Sequence, residues 1–406
     1  MSAPTLERPT VAVRQHQDLI QVAGILDRQD QHGFLRTTGY LPGPEDVFVP
    51  PDLIRRHGLR SGDVIEGAAT QSSPATSAKS AKPAKSARSA NSSKARPLVR
   101  VDAVNGRPSD ESAARPHFAA MTPIHPQERL RLAGDTSRVS TRIIDLIAPI
   151  GKGQRGLIVA PPKTGKTMLL QAIAAGVTAN HPECHLMVVL LDERPEEVTD
   201  MRRTVDGEVL ASTFDRPIHE HIAIAELAVE RAKRLAEQGQ DVVILLDSIT
   251  RLCRAHNNNA KSSGRTLSGG VDASAVAAPK KLFGAARNLE EGGSVTILAT
   301  ALVDTGSRAD DYFFEELKST GSMELRLDRS LADKRVFPAL DVAASGTRRE
   351  ELLMPPAELD AVRKLRRVLT ARTNQQAVEL LLEGAKQNAG NSEFLWRITH
   401  SSSSAS

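Results

Sequence analysis

Cysteine is nearly absent from this chain. Cys184 and Cys253 are too few for a disulfide scaffold or a Cys-rich zinc module. Long apolar runs are absent too. Leu186 to Leu191 is among the longest, far short of the roughly 20 residues of a membrane-spanning helix. The first twenty residues hold no apolar signal region. A soluble, cytoplasmic protein with no membrane partner is expected. Acidic residues are missing from one stretch, Gly67 to Val101, which carries Lys79, Lys82, Lys85, Arg88, Lys94, Arg96 and Arg100. The formal net charge is only +4, so the basicity is local. A polyanion partner at one place fits that pattern, and so does a solvated linker.

Against these absences stand 406 residues, of which 40% are hydrophobic. That is enough chain for two domains and enough apolar matter for a core in each. Residues 19–105 read as a small all-β domain. Short β-favouring runs at Ile20–Leu26, Gly33–Thr37, Asp46–Val49, Val64–Ala68 and Leu98–Val104 are separated by turn signals at Gly39, Pro42-Gly43-Pro44 and Ser61-Gly62. Five such strands suit a closed barrel of the OB (cold-shock-like) type, a frequent binder of single strands. Gln71–Arg96 is a Ser/Ala/Lys tract without periodicity, expected to be a disordered basic insertion. Residues 1–18 are expected to be a tail and 106–139 a linker. From residue 140 to 400, unalternating apolar runs (Gly156–Val159, Leu186–Leu191, Val209–Ser212, Val242–Leu246, Ser294–Ala301) alternate with helical stretches. Such runs are strands buried on both faces, so a parallel α/β sheet is expected, followed by C-terminal helices and a disordered 401–406 tail.

Ala160-Pro161-Pro162-Lys163-Thr164-Gly165-Lys166-Thr167 follows a strand and opens a helical run. That context makes it a phosphate-binding loop of a P-loop ATPase, although Ala160 stands where the pattern has its first glycine. Backbone N–H groups and the helix dipole would face the phosphates. Lys166 would reach the β/γ-phosphates and the Thr167 hydroxyl would ligate Mg²⁺. The strand Val242–Leu246 ends in Asp247, placed to hold the magnesium shell. Leu191-Asp192-Glu193-Arg194-Pro195-Glu196-Glu197 closes an intervening strand. A carboxylate there lies in the ligand crevice of an open α/β sheet, so Glu193 is the expected base for the attacking water. Arg335 and Arg348 are candidates for arginines supplied by a neighbouring subunit; a plain surface role fits the sequence equally. The histidine pairs His181/His185 and His219/His221 have no third ligand at zinc-like spacing, so surface or capping roles are expected. Cys253 reads as a buried small hydrophobe.

Assembled in order, these residues resemble the bacterial Rho-type transcription termination factors. The likeness runs over about residues 19–400. It rests on Pro149–Gly156 (PIGKGQRG) leading into the phosphate loop, Leu191–Val198 (LDERPEEV), Leu246–Arg251 (LDSITR), Phe283–Glu291 (FGAARNLEE), Ala301–Ser307 (ALVDTGS), Lys334–Pro338 (KRVFP) and Ser345–Glu351 (SGTRREE). The resemblance implies a homohexameric ring, each subunit an OB-type RNA-binding barrel joined to a RecA-like ATPase. It implies ATP and Mg²⁺ as cofactors, and single-stranded RNA and the RNA polymerase elongation complex as partners. The implied activity is ATP-driven 5′ to 3′ translocation with transcript release. Carried over residue by residue, ATP contacts fall on Gly151, Lys152, Gly153, Gln154, Arg155, Gly156, Lys163, Thr164, Gly165, Lys166, Thr167, Met168 and Arg194, with Phe337 at the adenine. Glu193 matches the catalytic glutamate, with Lys166, Arg335 and Arg348 completing the catalytic set. RNA contacts fall on Gly33, Phe34, Arg36, Asp46 and Phe48 in the barrel. In the ring channel they fall on Arg265, Thr266, Leu267, Ser268, Gly269, Gly270 and Arg308. The first hundred residues contain only Phe34, Tyr40 and Phe48 as aromatics, and His32 stands at a position that is often Phe. A rotary-synthase or secretion-motor ATPase would share the sheet and phosphate loop, and a non-enzymatic RNA-binding regulator would share the barrel.

Overall fold

The computed structural model describes residues 19–71, 95–134, 139–260, 266–272 and 275–401. It divides into two compact units, one formed by the segment ending at Thr38 with Pro42–Ala113, the other by Gly39–Leu41 with Ala114–Ser406. Residues 1–18, 402–406 and most of the basic tract lie outside the described residues; Ser401, expected in the 401–406 tail, instead ends the last helix.

The first unit is the expected barrel. β1 (Leu19–Gln29) pairs antiparallel with β2 (His32–Arg36) and with β4 (Val64–Thr70). β3 (Val47–Val49) adds to β2, and β5 (Arg96–Val104) adds to β4. A parallel β3–β5 pairing closes the ring. Leu26, Leu35, Val47, Val49, Ile65 and Leu98 fill it. Helix α1 (Pro51–His57) stands where no element was expected. Proline is tolerated in the first helical turn, where its missing N–H costs nothing, and Gly58 ends the helix in the left-handed region at φ 55°. A two-residue strand β6 (Arg107–Pro108) extends β5.

The second unit is built on a parallel sheet ordered β12–β11–β13–β17–β10–β18, with β19 antiparallel at one edge. In chain order it runs as follows. β7 (Pro123–Ile124), β8 (Arg129–Leu130), α2 (Val139–Ile147) and β9 (Ile150–Gly151) lead into β10 (Arg155–Ala160) and α3 (Lys166–Asn180). Then come β11 (His185–Glu193), α4 (Pro195–Thr204), β12 (Glu208–Thr213), α5 (Ile218–Ala236), β13 (Asp241–Asp247) and α6 (Ile249–Asn259). β14 (Thr266–Leu267) and β15 (Val271–Asp272) form a small ribbon before α7 (Ala277–Phe283), β16 (Arg287–Leu289), β17 (Ser294–Leu302) and α8 (Arg308–Lys318). β18 (Met323–Leu327), α9 (Arg329–Asp333) and β19 (Leu340–Thr347) finish the sheet. The central strands are buried along almost their whole length, as their unalternating apolar sequence requires. Helices α10 (Pro356–Thr370), α11 (Asn374–Gln387) and α12 (Asn391–Ser401) complete the chain. α12 buries Phe394 and Leu395 but leaves Trp396 59% exposed, its indole stacked on His400 at 4.3 Å between ring centroids.

Residues 106–134, read from the sequence as linker, are instead structured. β7 pairs with β16, and Phe118 is buried with its amide donating to Glu237 Oε1 at 2.8 Å and Arg287 4.9 Å from its ring centre. Leu130 and Leu132 join the main core. Two-residue strands leave no periodicity to read, which is why the sequence suggests a linker.

Candidate functional site

β10, β11, β13 and β17 run parallel, so their carboxyl ends meet at one edge, the crevice where open α/β sheets bind ligands. The phosphate loop leaves β10 there. Lys163 at φ 66° and Gly165 at φ 85° both take left-handed backbone, and Thr164 Oγ1 donates to the Pro161 carbonyl at 2.8 Å. These turns set Gly165 as the residue before α3, leaving the first helical amides without intrahelical acceptors. Ala160 causes no disruption: it is the last residue of β10, buried and in register with Leu302. The loop bounds a cavity of about 480 Å³, lined among others by Lys166, Thr167, Glu193, Arg194 and Arg251. Beside it lies a smaller hollow of about 120 Å³ with Gly165, Met168, Gln171 and Phe337 on its walls.

Four charged side chains meet in the larger cavity or directly behind it. Lys166 Nζ lies 2.5 Å from Asp247 Oδ1 and 3.2 Å from Glu193 Oε1. Arg251 Nη2 lies 3.2 Å from the same Glu193 oxygen. Thr300 donates its hydroxyl to Asp247 Oδ1 at 2.7 Å. Glu193 reaches this position through a bulge: the β11–β12 register shifts between Leu191 and Glu193, and Asp192 sits at φ 55°. One extra residue in left-handed backbone re-aims the next side chain. Burial, with the charge of Asp247, raises the Glu193 carboxyl above the usual range against the opposing pull of Lys166 and Arg251. Burial works against the Lys166 ammonium, but the Asp247 and Glu193 carboxylates outweigh it and raise its pKa. Arg251 and Thr300 were not singled out from sequence. Arg251 stands in the LDSITR stretch, so its position was visible but its partner was not.

Other expected residues do not come together with these. Gly151–Gly156 lie at the amino end of β10, five residues and about 16 Å of strand away from the loop, and line neither cavity. Their bonds go elsewhere. Lys152 Nζ is held by Glu128 at 2.6 Å, Asp241 at 2.8 Å and Glu183 at 3.2 Å. Gln154 donates to Ser322 Oγ, and Arg155 to the carbonyls of Thr320 and Ala286. Gly153, at φ 86°, would place a Cβ 2.2 Å from the Asn288 amide. Within this chain Lys152, Gln154 and Arg155 brace the sheet through these bonds. Phe337 does face the phosphate loop: a Cβ on Gly165 would lie 3.3 Å from its ring. Arg194 is exposed on the cavity rim before α4. Arg335 and Arg348 are exposed and line neither cavity.

In the barrel, His32, Phe34 and Phe48 form a three-ring cluster with centroids 5.6–5.8 Å apart. Arg36 and Asp46, expected at RNA, form a buried pair at 2.5 Å; Arg36 also pairs with Asp27 and lies over the Phe34 ring. Gly33 is buried under Leu26, which leaves no room for a Cβ. Of the five barrel positions, Phe48 is half-buried, whereas Gly33, Phe34, Arg36 and Asp46 are buried in this chain. Of the residues expected in a ring channel, Arg265 lies outside the described residues, as do the side chains of Thr266 and Ser268. Gly269 approaches the start of α8 so closely that a Cβ would meet the Ala309 amide at 2.7 Å. The Leu267–Gly270 turn and the exposed Arg308 thus share one surface.

Residues 140–347 match the nucleotide-binding domain of the ATP synthase alpha/beta family, and residues 22–110 match the RNA-binding domain of the Rho termination factor. The chain is 60% identical to the transcription termination factor Rho of Streptomyces lividans, over 95% of this chain and 53% of that one. It therefore spans about half the length of that relative. Against the transcription termination factor Rho of Streptomyces coelicolor it is 58% identical over 97% of this chain and 89% of the other. Against that of Streptosporangium roseum the identity is 56%, over 97% and 96%. Among solved structures, a type III secretion ATPase superposes with a TM-score of 0.58 at 22% identity, covering 68% of this chain and 86% of that one. At such identity it shows a shared ATPase fold and nothing finer. With both domain matches in order and near full-length relatives at this identity, the chain belongs to the transcription termination factor Rho family.

Proposed function

We propose that this chain is an RNA-dependent ATPase that assembles as a homohexameric ring, translocates 5′ to 3′ along nascent single-stranded RNA in the cytoplasm, and releases transcripts from the RNA polymerase elongation complex. One observation carries the reading. A buried carboxylate, Glu193, faces the phosphate-loop lysine in a cavity of nucleotide size, on a chain that also matches the family's RNA-binding domain.

The residues' own chemistry divides the work. The phosphate loop and the α3 N-terminus bind phosphates through backbone amides, and Lys166 leaves its carboxylates to neutralise phosphate oxygens. Glu193 accepts the proton of the attacking water, and its raised pKa makes it the stronger base. Arg251 and Thr300 keep the two carboxylates apart and oriented. The flat Phe337 ring beside Gly165 offers a face to the adenine. Asp247 and Thr167 offer a carboxylate and a hydroxyl, the hard oxygen donors that Mg²⁺ prefers. When bound with ATP, Mg²⁺ would supply charge neutralisation at the β/γ-phosphates. Arg348 is exposed and away from this chain's own cavity, which suits an arginine supplied to a neighbouring copy. Gly269–Gly270 and Arg308 would grip RNA in the ring channel, and the half-buried Phe48, packed on Phe34 and His32, would meet bases at the barrel.

The test is phosphate release from ATP with and without a cytosine-rich RNA. Strong stimulation by RNA is expected. RNA-independent turnover would favour a secretion-type motor, and no turnover a non-enzymatic regulator.

A further inference from the structure

The stretch Pro149–Gly156 has a structural use that its resemblance to a nucleotide contact does not suggest. Its polar groups converge on the turn that carries Arg348. The Arg348 amide donates to the Ser322 carbonyl at 2.8 Å. Ser322 is held by the stretch at two atoms. Its amide donates to the Arg155 carbonyl at 2.9 Å, and its Oγ accepts from Gln154 Nε2 at 2.7 Å. One residue before the arginine, Thr347 Oγ1 donates to the Pro149 carbonyl at 2.6 Å. Thr347 ends β19 opposite Met323 of β18, and Met323 stands opposite Gly156 of β10. Arg366 ties the same turn from another side, donating to the Ser345 carbonyl at 3.2 Å and to that of Ile147.

Burial sets the support apart from what it supports. Gln154 is 1% exposed, and a buried amide is kept where it is paired. Its carbonyl accepts from the Ile297 amide of β17 at 2.9 Å, which fixes the glutamine to the middle of the sheet. The Arg348 side chain, by contrast, is exposed and makes no ion pair among the described residues. A rigid turn with an uncommitted guanidinium at its tip suits contact with another molecule, because less freedom is lost when the contact forms. The other end of β10 runs into the phosphate loop, so one strand ties this chain's own cavity to the arginine it presents.

Building on the reading of Arg348 as an arginine supplied to a neighbour, we propose that Gln154, Ser322 and Thr347 are its positioning residues. Through them the Pro149–Gly156 stretch serves the nucleotide bound by the neighbouring copy of this chain, not its own. Misplacing a catalytic group by about 1 Å costs on the order of 10²-fold in rate. Loss of one support should therefore lower kcat about 10–100-fold and leave KM for ATP nearly unchanged.

Mixed assemblies of the full chain sort the residues by face, with phosphate release read in ATP and cytosine-rich RNA. Gln154→Ala, Ser322→Ala and Thr347→Val should each lose turnover alone while keeping the unaltered chain's affinity for a non-hydrolysable ATP analogue. Each should regain partial turnover when mixed with Glu193→Gln, whose Arg348 face is intact. Mixing with Arg348→Ala should rescue none, because both partners are damaged on the same face. Ser322→Ala and Thr347→Val remove little beyond one hydroxyl, so they carry the test if Gln154→Ala fails to assemble. Rescue by Arg348→Ala, a raised KM for ATP, or unchanged kcat in the variants that assemble would overturn the proposal. Arg348→Ala mixed with Glu193→Gln is the reference. No rescue there removes the arginine supplied in trans and the proposal with it; rescue there, with none for the three variants, removes the proposal alone.

Discussion

Burial and Asp247 raise the Glu193 carboxyl, while Lys166 and Arg251 pull it down. A base works ionised, so the acid limb of the ATPase pH profile should sit above that of an ordinary glutamate. Arg251→Ala removes one of the two opposing cations and should move the limb to still higher pH, read from kcat/KM against pH. Glu193→Gln should cost roughly 10²–10⁴ in turnover while sparing nucleotide binding. The same variant should melt higher at neutral pH. A carboxyl whose pKa is raised by folding costs stability when ionised, and that cost fades only as pH falls through the folded value. Two glycines separate site from scaffold. Gly153→Ala forces a side chain into left-handed backbone against Asn288 and should cost ~1–3 kcal/mol of stability, with KM for ATP unchanged in the molecules that fold. Gly165→Ala should instead raise that KM. At this scale the sequence was informative where a residue's role follows from its place on a strand. Glu193 and Asp247 end apolar runs and were readable. Arg251 and Thr300 act through partners far along the chain, and nothing local announces them. The GKGQRG stretch was legible as a motif, but its contacts, to Asp241, Ser322 and Ala286, depend on distant strands.

Among elements, β11 is the one whose irregularity matters most. Its bulge turns Glu193 into the cavity, and a regular strand would alternate that side chain to another face. Asp tolerates left-handed backbone, whereas a β-branched residue does not. Asp192→Val should therefore cost ~1–2 kcal/mol and lower turnover, and Asp192→Asn should do neither; thermal melts beside ATPase rates check both. A contrasting case is the start of α11. Thr373 Oγ1 accepts from the Gln376 amide, and the Thr373 amide donates to Gln376 Oε1. Thr373→Ala should cost ~1 kcal/mol and leave catalysis alone. Strands of the sheet were legible because burial on both faces writes an unbroken apolar run. The barrel strands were legible from turn residues between them. Helix α1 was not, because the same prolines open turns and helices; only Gly58 beyond it tips the balance. The bulge itself leaves no mark, since Asp192 reads as one more acidic residue after a strand.

For the assembled molecule, the exposed Arg348 sets the decisive expectation. It belongs to no ion pair among the described residues, and its amide alone is engaged, with the Ser322 carbonyl. If it serves a neighbour, Arg348→Ala and Glu193→Gln chains should each be inactive alone. Mixed, they should regain partial RNA-stimulated turnover, because some interfaces pair an intact Glu193 with an intact Arg348. Phosphate release from confirmed mixed assemblies measures this, and complete absence of rescue would place Arg348 in a structural role. The lone tryptophan has a different use. Trp396 sits on α12 with an imidazole stacked on its indole, and the chain has no other. Selectively excited fluorescence is therefore a one-helix signal, quenched by contact with His400 four residues on and brightened when α12 unwinds. Trp396 lines neither cavity, so a fluorescence melt of this protein would time the unwinding of its last helix, and the phosphate-loop domain would need a dye of its own.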